Sequence, residues 1–257
     1  MKVHMLATCL MLLIGATTWA LEPDDPDIVG VWLFEGGEVE DISGNDNHGQ
    51  INGDFKFEAG KFGDAIVANG GGSIDVKDSP SLAKVSDALT IAAWFRVDAN
   101  SDTGIRKQEA YLLEDQSASE PVPDGFSFRI WTAQGISPGF YGKTELEQGT
   151  WYHIAGTYDG TIVELYIDGE PESAKGALSD AKADWKNQWG GKIGAGQTLQ
   201  LKYGAESFIG GMDEIVLLSR ALEAEEVQQL LKGWEDAFAV DARGKLATSW
   251  GRVKALR

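Results

Sequence analysis

The chain has 257 residues, with 22 Lys and Arg against 40 Asp and Glu and a net charge of −18 at pH 7. So acidic a body excludes the broad basic surface that nucleic-acid phosphates demand, and no DNA or RNA partner is expected. Its one cysteine, Cys9, excludes internal disulfides and thiolate zinc clusters.

Residues 1–20 predict a secretory signal peptide. Lys2 and His4 precede an apolar run from Leu6 to Ile14, and Ala16-Thr-Thr-Trp-Ala20 follows, with cleavage expected after Ala20. The run is shorter than the roughly 20 apolar residues a membrane span needs, so no membrane insertion is expected. Cys9 lies inside it, which leaves the exported chain without cysteine. The product is expected to be secreted, periplasmic or on the cell surface, resting on its own core.

Next come short apolar runs separated by glycine-rich turns. Strands are expected at Ile28–Phe34, Ala65–Val67, Ser73–Val76, Leu89–Val97, Tyr111–Leu113, Phe126–Trp131, Gly139–Tyr141, Trp151–Tyr158, Ile162–Ile167, Lys192–Ile193 and Met212–Leu218. Period-two alternation places Ile91, Ala93, Phe95 and Val97 on one strand face. The pattern predicts an all-β, two-sheet antiparallel sandwich.

Between the first strands lies Asp41-Ile-Ser-Gly-Asn-Asp-Asn-His-Gly49. Asp41, Asn45, Asp46 and Asn47 offer oxygens on a loop that Gly44 and Gly49 let curl. Calcium takes about six to eight oxygens of this kind, although the spacing is not that of an EF-hand. The alternative is an Asx-rich turn with no ion. Gly70-Gly-Gly72 precedes a strand rather than a helix and reads as a turn. Residues 99–108 and 118–125 read as polar loops. Tyr158-Asp-Gly-Thr161 predicts a hairpin, and Asp168-Gly169 ends its second strand.

Trp32, Trp94 and Trp151 lie in strands, where core packing is expected. In Asp184-Trp-Lys-Asn-Gln-Trp-Gly-Gly191, by contrast, Trp185, Asn187 and Trp189 fall in a polar loop. Indoles beside an amide suit sugar binding, with rings stacking on C–H faces; the alternative is a loop that buries both indoles. One edge helix is expected at Ala224–Lys232, with Val227, Leu230 and Leu231 as its apolar stripe and Gly233 to end it. Residues 243–257 then hold five cationic side chains and no acid. Residues 21–235 are expected to be one domain, with 236–257 as a basic tail.

Trp151–Gly169 resembles the central hairpin of laminin G-like, concanavalin A-like (lectin/glucanase) jelly-roll domains of secreted bacterial proteins. Trp32-Leu-Phe-Glu35 leading into Asp41–Gly49, Gly60-Lys-Phe-Gly-Asp-Ala65, and Phe208–Ile215 running into Ser219–Leu222 match in the same order. Over residues 27–232 the resemblance implies a jelly roll, with one short edge helix. It further implies a calcium ion pinning the first strand to the last, with Glu35 or Asp41 and Asp213 at the matching positions. With the loop oxygens, Glu35, Asp41, Asn45 and Asp213 are the candidate metal ligands.

No catalytic set is complete. The fold also resembles family 16 glycoside hydrolases, which carry three acids on one strand face. Here Glu164, Tyr166 and Asp168 share a face, with tyrosine in place of the central acid, and the strand stops at Gly169. His48 and His153, the histidines left after cleavage, lack both a Gly-x-Ser-x-Gly serine and zinc-like spacing. The expected function is an exported, non-catalytic module binding glycans or glycosylated surface components, with a structural calcium. The alternatives are a protein-binding adhesion or scaffold subunit and a polysaccharide hydrolase.

Overall fold

The structure is a computed structural model, and it describes residues 20–99, 104–107, 110–115, 125–132, 135–136, 140–172, 198–203 and 209–238. Its strands are β1 (Ile28–Trp32), β2 (Gly49–Ala59), β3 (Asp64–Val76), β4 (Leu89–Ala99), β5 (Gly104–Lys107), β6 (Tyr111–Asp115), β7 (Phe126–Thr132), β8 (Gly135–Ile136), β9 (Phe140–Tyr141), β10 (Trp151–Tyr158), β11 (Val163–Ile167), β12 (Glu170–Pro171), β13 (Leu199–Tyr203) and β14 (Ile209–Leu218). Helices α1 (Ala224–Leu230) and α2 (Trp234–Ala237) follow. The chain is all-β and antiparallel, as expected.

One ladder runs β12-β11-β10-β4-β14-β3-β13-β5-β6-β7-β8, with β1 on β14, β2 on β3 and β9 on β7. It folds over itself into two layers, because one face of each half is apolar. From β4, Ile91, Ala93, Phe95 and Val97 enter the core between the layers, as their alternation predicted. Phe95 meets Phe126 of β7 with ring centroids 4.9 Å apart. A side chain at Gly156 of β10 would strike the Phe128 ring, so glycine lets the layers close there.

The opposite face of the β14–β4–β10 layer has a second, smaller core. Val31, Ala92, Ala155, Val216 and Leu218 lie under Leu21, Val227, Leu230, Trp234 and Phe238. Leu21, the first residue after the expected cleavage point, is clamped by Gln229, which accepts its N–H at 3.1 Å and donates to its carbonyl at 3.0 Å. Arg220 bridges Asp25 at 2.7 Å and Glu226 at 2.6 Å, fastening the start of the domain to the turn before α1. Packing continues to Phe238, whose ring meets Trp234 at 4.6 Å.

Several elements differ from expectation. The two runs around Gly70 form one strand, β3, so the glycines continue it rather than turn. β2, β5, β8, β12 and β13 lie where no strand was expected, and the expected strand Lys192–Ile193 lies outside the described residues. β2 is exposed at most positions, but Ile51, Phe55, Phe57 and Ala59 alternate with polar residues, and Phe55 and Phe57 pack against the core. α1 ends two residues early, and Gly233 at φ 78 leads into α2. Asp168 (φ 49) and Gly169 (φ 78) make the two-residue hairpin turn, whereas at Asp159-Gly160 the Asp159 carboxylate caps a longer loop by accepting the Thr161 and Ile162 N–H groups.

The Asp41–Gly49 loop is a hydrogen-bond knot. Asp41 Oδ1 accepts the N–H groups of Val31 and Ser43, and Oδ2 accepts that of Asn47, each at 2.9 Å. Asn45 Nδ2 donates to the Ile28 and Val29 carbonyls at 3.0 and 3.2 Å. Asn47 donates to Val29 O at 2.8 Å, and its own carbonyl accepts the Trp32 indole N–H at 2.8 Å. His48 Nδ1 accepts the Asp41 N–H at 3.1 Å. Replacing Asp41 by Ala strips the acceptor from three backbone donors and is expected to cost about 3–5 kcal/mol. Urea unfolding should show a lower midpoint at unchanged slope, and a midpoint matching the parent's would contradict the assignment.

Candidate functional site

Two non-glycine residues in the left-handed region mark one corner of the outer face. β1 leaves the sheet through Phe34 (φ 63) into the short turn Glu35–Gly37, and β14 bulges at Glu214 (φ 52), where its pairing with β4 slips between Asp213 and Val216. Such backbone costs on the order of 1–3 kcal/mol per residue and persists where the surroundings enforce it. Each strained residue sits beside a predicted carboxylate, Glu35 or Asp213.

The turn Gly60–Gly63 bridges them. Phe62 N–H donates to Asp213 Oδ2 at 3.0 Å, Asp64 N–H to Glu35 Oε1 at 3.1 Å, and Gly36 N–H to Asp64 Oδ2 at 3.2 Å. The glycines permit this approach. A Cβ at Gly60 would come within 2.5 Å of Asp213 Oδ2, and one at Gly63 (φ 47) would overlap the Glu35 carboxylate.

Asp213 is 0% exposed, and its Oδ1 has no hydrogen-bond partner. Burial pushes its pKa up to about 7 against the opposing N–H groups of Phe62, Glu214 and Lys61, and the charge of Glu35 adds to the rise. Burial likewise pushes Glu214 up to about 7, although its Oε2 accepts the Trp234 N–H at 2.6 Å. A buried carboxylate oxygen without a donor favours a proton or a cation beside it. The donor set, hard carboxylate oxygens beside backbone, fits calcium.

Asp213 begins a row across the sheet. It pairs with Trp94, and Trp94 pairs with His153. Trp94 Nε1 and His153 Nδ1 are also buried without partners. The Trp94 ring is covered by Lys61, whose Nζ lies 4.1 Å from its centroid, and by Phe62 edge-on at 5.9 Å. Burial drives His153 down to about 3, so it is a neutral packed imidazole, 5.4 Å from Trp94. Beside this corner opens a cleft of about 570 Å³. Glu35, Glu38, Glu40, Glu214, Glu235 and Asp236 line it, against one cation, Lys232. A low-dielectric cleft of one sign gathers counter-ions and repels anions.

The predicted metal ligands therefore fall into two groups. Glu35 and Asp213 meet at the Gly60–Gly63 turn, while Asp41 and Asn45 belong to the hydrogen-bond knot, with both Asp41 oxygens engaged by N–H groups. Among the described residues, no three His, Cys, Asp or Glu side chains converge as ligands, so further oxygens at this corner would come from backbone or water. Trp185, Asn187 and Trp189 lie outside the described residues, as does 239–257. Glu164 accepts the Tyr166 hydroxyl at 2.9 Å, and Asp168 Oδ1 accepts the His153 N–H at 2.9 Å, so neither stands as a free acid–base pair. Glu214, Lys61 and Trp94 were not singled out as site residues. For Lys61 and Glu214 the signal was the motif pair Gly60–Ala65 and Phe208–Ile215, and for Trp94 it was the period-two alternation of Leu89–Val97, which sets it on the face opposite Phe95.

The model of the concanavalin A-like lectin/glucanases superfamily, Laminin_G_3, matches residues 68–228. The chain belongs to this family. Solved structures with the same fold include domain 4 of the extracellular arabinanase AbnA from Geobacillus stearothermophilus in complex with arabinotriose, at 18% identity and TM-score 0.60, over 80% of this chain and 98% of that one. The binding domain of Paraclostridial Mosquitocidal Protein 1 matches at 17% identity and TM-score 0.62, over 82% of this chain and 53% of that one. The binding domain of botulinum neurotoxin DC in complex with SialylT matches at 11% and 0.60, over 82% and 52%. This laminin G-like chain thus spans about half the length of the toxin binding domains it matches. No helix among the described residues is long and apolar enough to cross a membrane.

The raised Asp213 and Glu214 fix a sign for pH dependence. The folded state holds these protons more tightly than the unfolded chain, so their contribution is present at low pH and lost as pH rises from about 4 through about 7. His153 acts oppositely, its contribution being lost as pH falls below the ordinary histidine range. With chelator present, Asp213→Asn should melt close to the parent at pH 5 and above it at pH 8. An equal offset at both pH values would contradict the assignment of Asp213.

Proposed function

We propose that this chain is an exported, non-catalytic glycan-binding module whose packing runs from Leu21 through Phe238, followed by a basic tail, and that a structural calcium sits at Asp213 and Glu35. Its ligands are glycans, free or carried on surface proteins. The carrying observation is the match to arabinanase domain 4, a sugar-complexed domain taken in over 98% of its length. Two toxin binding domains of the same fold, one in complex with SialylT, support the same reading. The non-catalytic reading is supported by Glu164 and Asp168, whose carboxylates are committed to Tyr166 and the His153 backbone.

Calcium at this corner would neutralise the buried Asp213 and draw the end of β1 toward β14. Its support is the partnerless Asp213 Oδ1 and the acidic cleft beside it. Asp41 and Asn45 organise the neighbouring loop through hydrogen bonds.

Isothermal titration against arabinotriose, other neutral oligosaccharides and sialylated glycans is expected to show saturable binding to at least one neutral sugar. No heat across the panel would contradict the glycan reading. For an extracellular-type site, about 10 mM calcium in place of EGTA should raise the melting temperature on the order of 5 °C. Asp213→Asn should show no such rise, and identical parent curves in calcium and EGTA would contradict the metal.

A further inference from the structure

Beyond the acidic corner, the outer face of the β10–β4–β14 layer carries a second cluster. Trp151 of β10 is in register with Arg96 of β4, and Arg96 with Gly211 of β14. A Cβ built on Gly211 would come within 2.7 Å of the outer carbon of the Trp151 benzo ring. The indole therefore starts on β10 and ends over β14, the second strand away. Neighbouring strands are about 4.8 Å apart, so a side chain bridging roughly 9–10 Å lies along the sheet instead of standing up from it. Gly211 leaves the space for this.

Arg96 lies over part of the ring. Its Cζ is 5.3 Å from the indole centroid. Its Nε and Nη2 bond both Asp98 oxygens at 2.9–3.1 Å, so the guanidinium leans along β4. The pair still reaches solvent, with side chains 20% and 27% exposed. Ile209, two residues before Gly211 and beyond a slip in the β14–β4 register, is 41% exposed and is one of three large apolar side chains so exposed among the described residues. Trp94, next along β4, is buried under Lys61 and Phe62, whereas Trp151 is half-buried. A flat indole edged by a planar fork of donors and a carboxylate, extended by an exposed apolar side chain, combines the features that hold a sugar ring.

We propose that Trp151, Arg96 and Asp98 form the sugar-contacting platform of the module, and that its ligand is a neutral oligosaccharide presenting a pair of adjacent hydroxyls. The C–H face of one ring stacks on the indole. One hydroxyl accepts from the guanidinium while its neighbour donates to Asp98. Neutral sugars are favoured because Asp98 already balances the Arg96 charge and the chain carries −18 overall, which leaves an anionic glycan no net attraction. The proposal rests on the glycan-binding reading and locates its site.

The test is isothermal titration of the full chain and its variants against neutral arabino-, xylo- and gluco-oligosaccharides and sialyllactose, with circular dichroism to confirm folding. The parent should bind a neutral sugar and not sialyllactose. Trp151→Ala should weaken that binding at least ten-fold, and Arg96→Lys, which keeps the charge and loses the fork, should weaken it several-fold. If Trp151→Ala does not fold, Gly211→Ala decides, because its methyl group displaces the indole and should also weaken binding. A parent that binds while folded Trp151→Ala and Arg96→Lys bind equally well overturns the platform and leaves the module reading intact. The same holds if binding is lost in Trp185→Ala or Trp189→Ala and not in Trp151→Ala. A parent that binds no sugar overturns both.

Discussion

A fully buried carboxylate, Asp213, sets the terms for this domain's outer face. One of its oxygens takes the Phe62 N–H, and the other is buried without a hydrogen-bond partner. Around it the backbone adopts conformations it otherwise avoids, at Phe34 and Glu214, and two glycines bring the 60–63 turn within contact of both acids. A desolvated charge left unpaired costs several kcal/mol, and real structures relieve it by protonation or by a counter-charge. The last strand, the end of the first strand and the 60–63 turn thus share one electrostatic problem. The calcium proposed for this corner would resolve it for all three.

Seen along β4, the outer face divides into three zones with different covers. At Ala92 it lies beneath the helices and Leu21, which bury it as a second core. At Trp94 it is closed by Lys61 and Phe62 from the turn that also caps Asp213. At Arg96 and Asp98 it is open, beside the half-buried Trp151. A single strand with alternating side chains therefore serves the inter-layer core on one side and, on the other, runs from packing through the charged corner to an accessible face. The helices pack over one end of the layer, and the 60–63 turn closes its middle.

Much of this was legible in the residues. The alternation Ile91, Ala93, Phe95, Val97 placed one face of β4 in the core, and by the same period it placed Trp94 and Arg96 on the other. Reading strand tryptophans as packed held for Trp32 and for Trp94, which is buried on the outer face beneath Lys61 and Phe62, but not for the half-buried Trp151. β2 carries its pattern in the sequence, since Ile51, Phe55, Phe57 and Ala59 alternate with polar residues and Phe55 and Phe57 pack on the core, but the acids, amides and Gly53 between them make the stretch resemble a loop. The Asp41–Gly49 loop was read correctly as oxygen-rich, but oxygens that accept backbone N–H groups and oxygens that bind a metal look alike in sequence. Only the fold shows that Asp41 faces Val31, Ser43 and Asn47. What joins Glu35 to Asp213 is a turn distant from both in the chain, which no local pattern shows.

The family supplies the scaffold, and on a shared fold function lies in the side chains that each chain places on it. The platform proposed for this chain shares β4 and β14 with the Asp213 corner. The most direct test is a calcium titration of chelator-stripped protein, read calorimetrically. The account predicts one ion per chain with a dissociation constant at or below about 10⁻³ M, absent in Asp213→Asn. Protein that takes up no calcium at millimolar concentration, or takes it up unchanged when Asp213 is replaced, would contradict it.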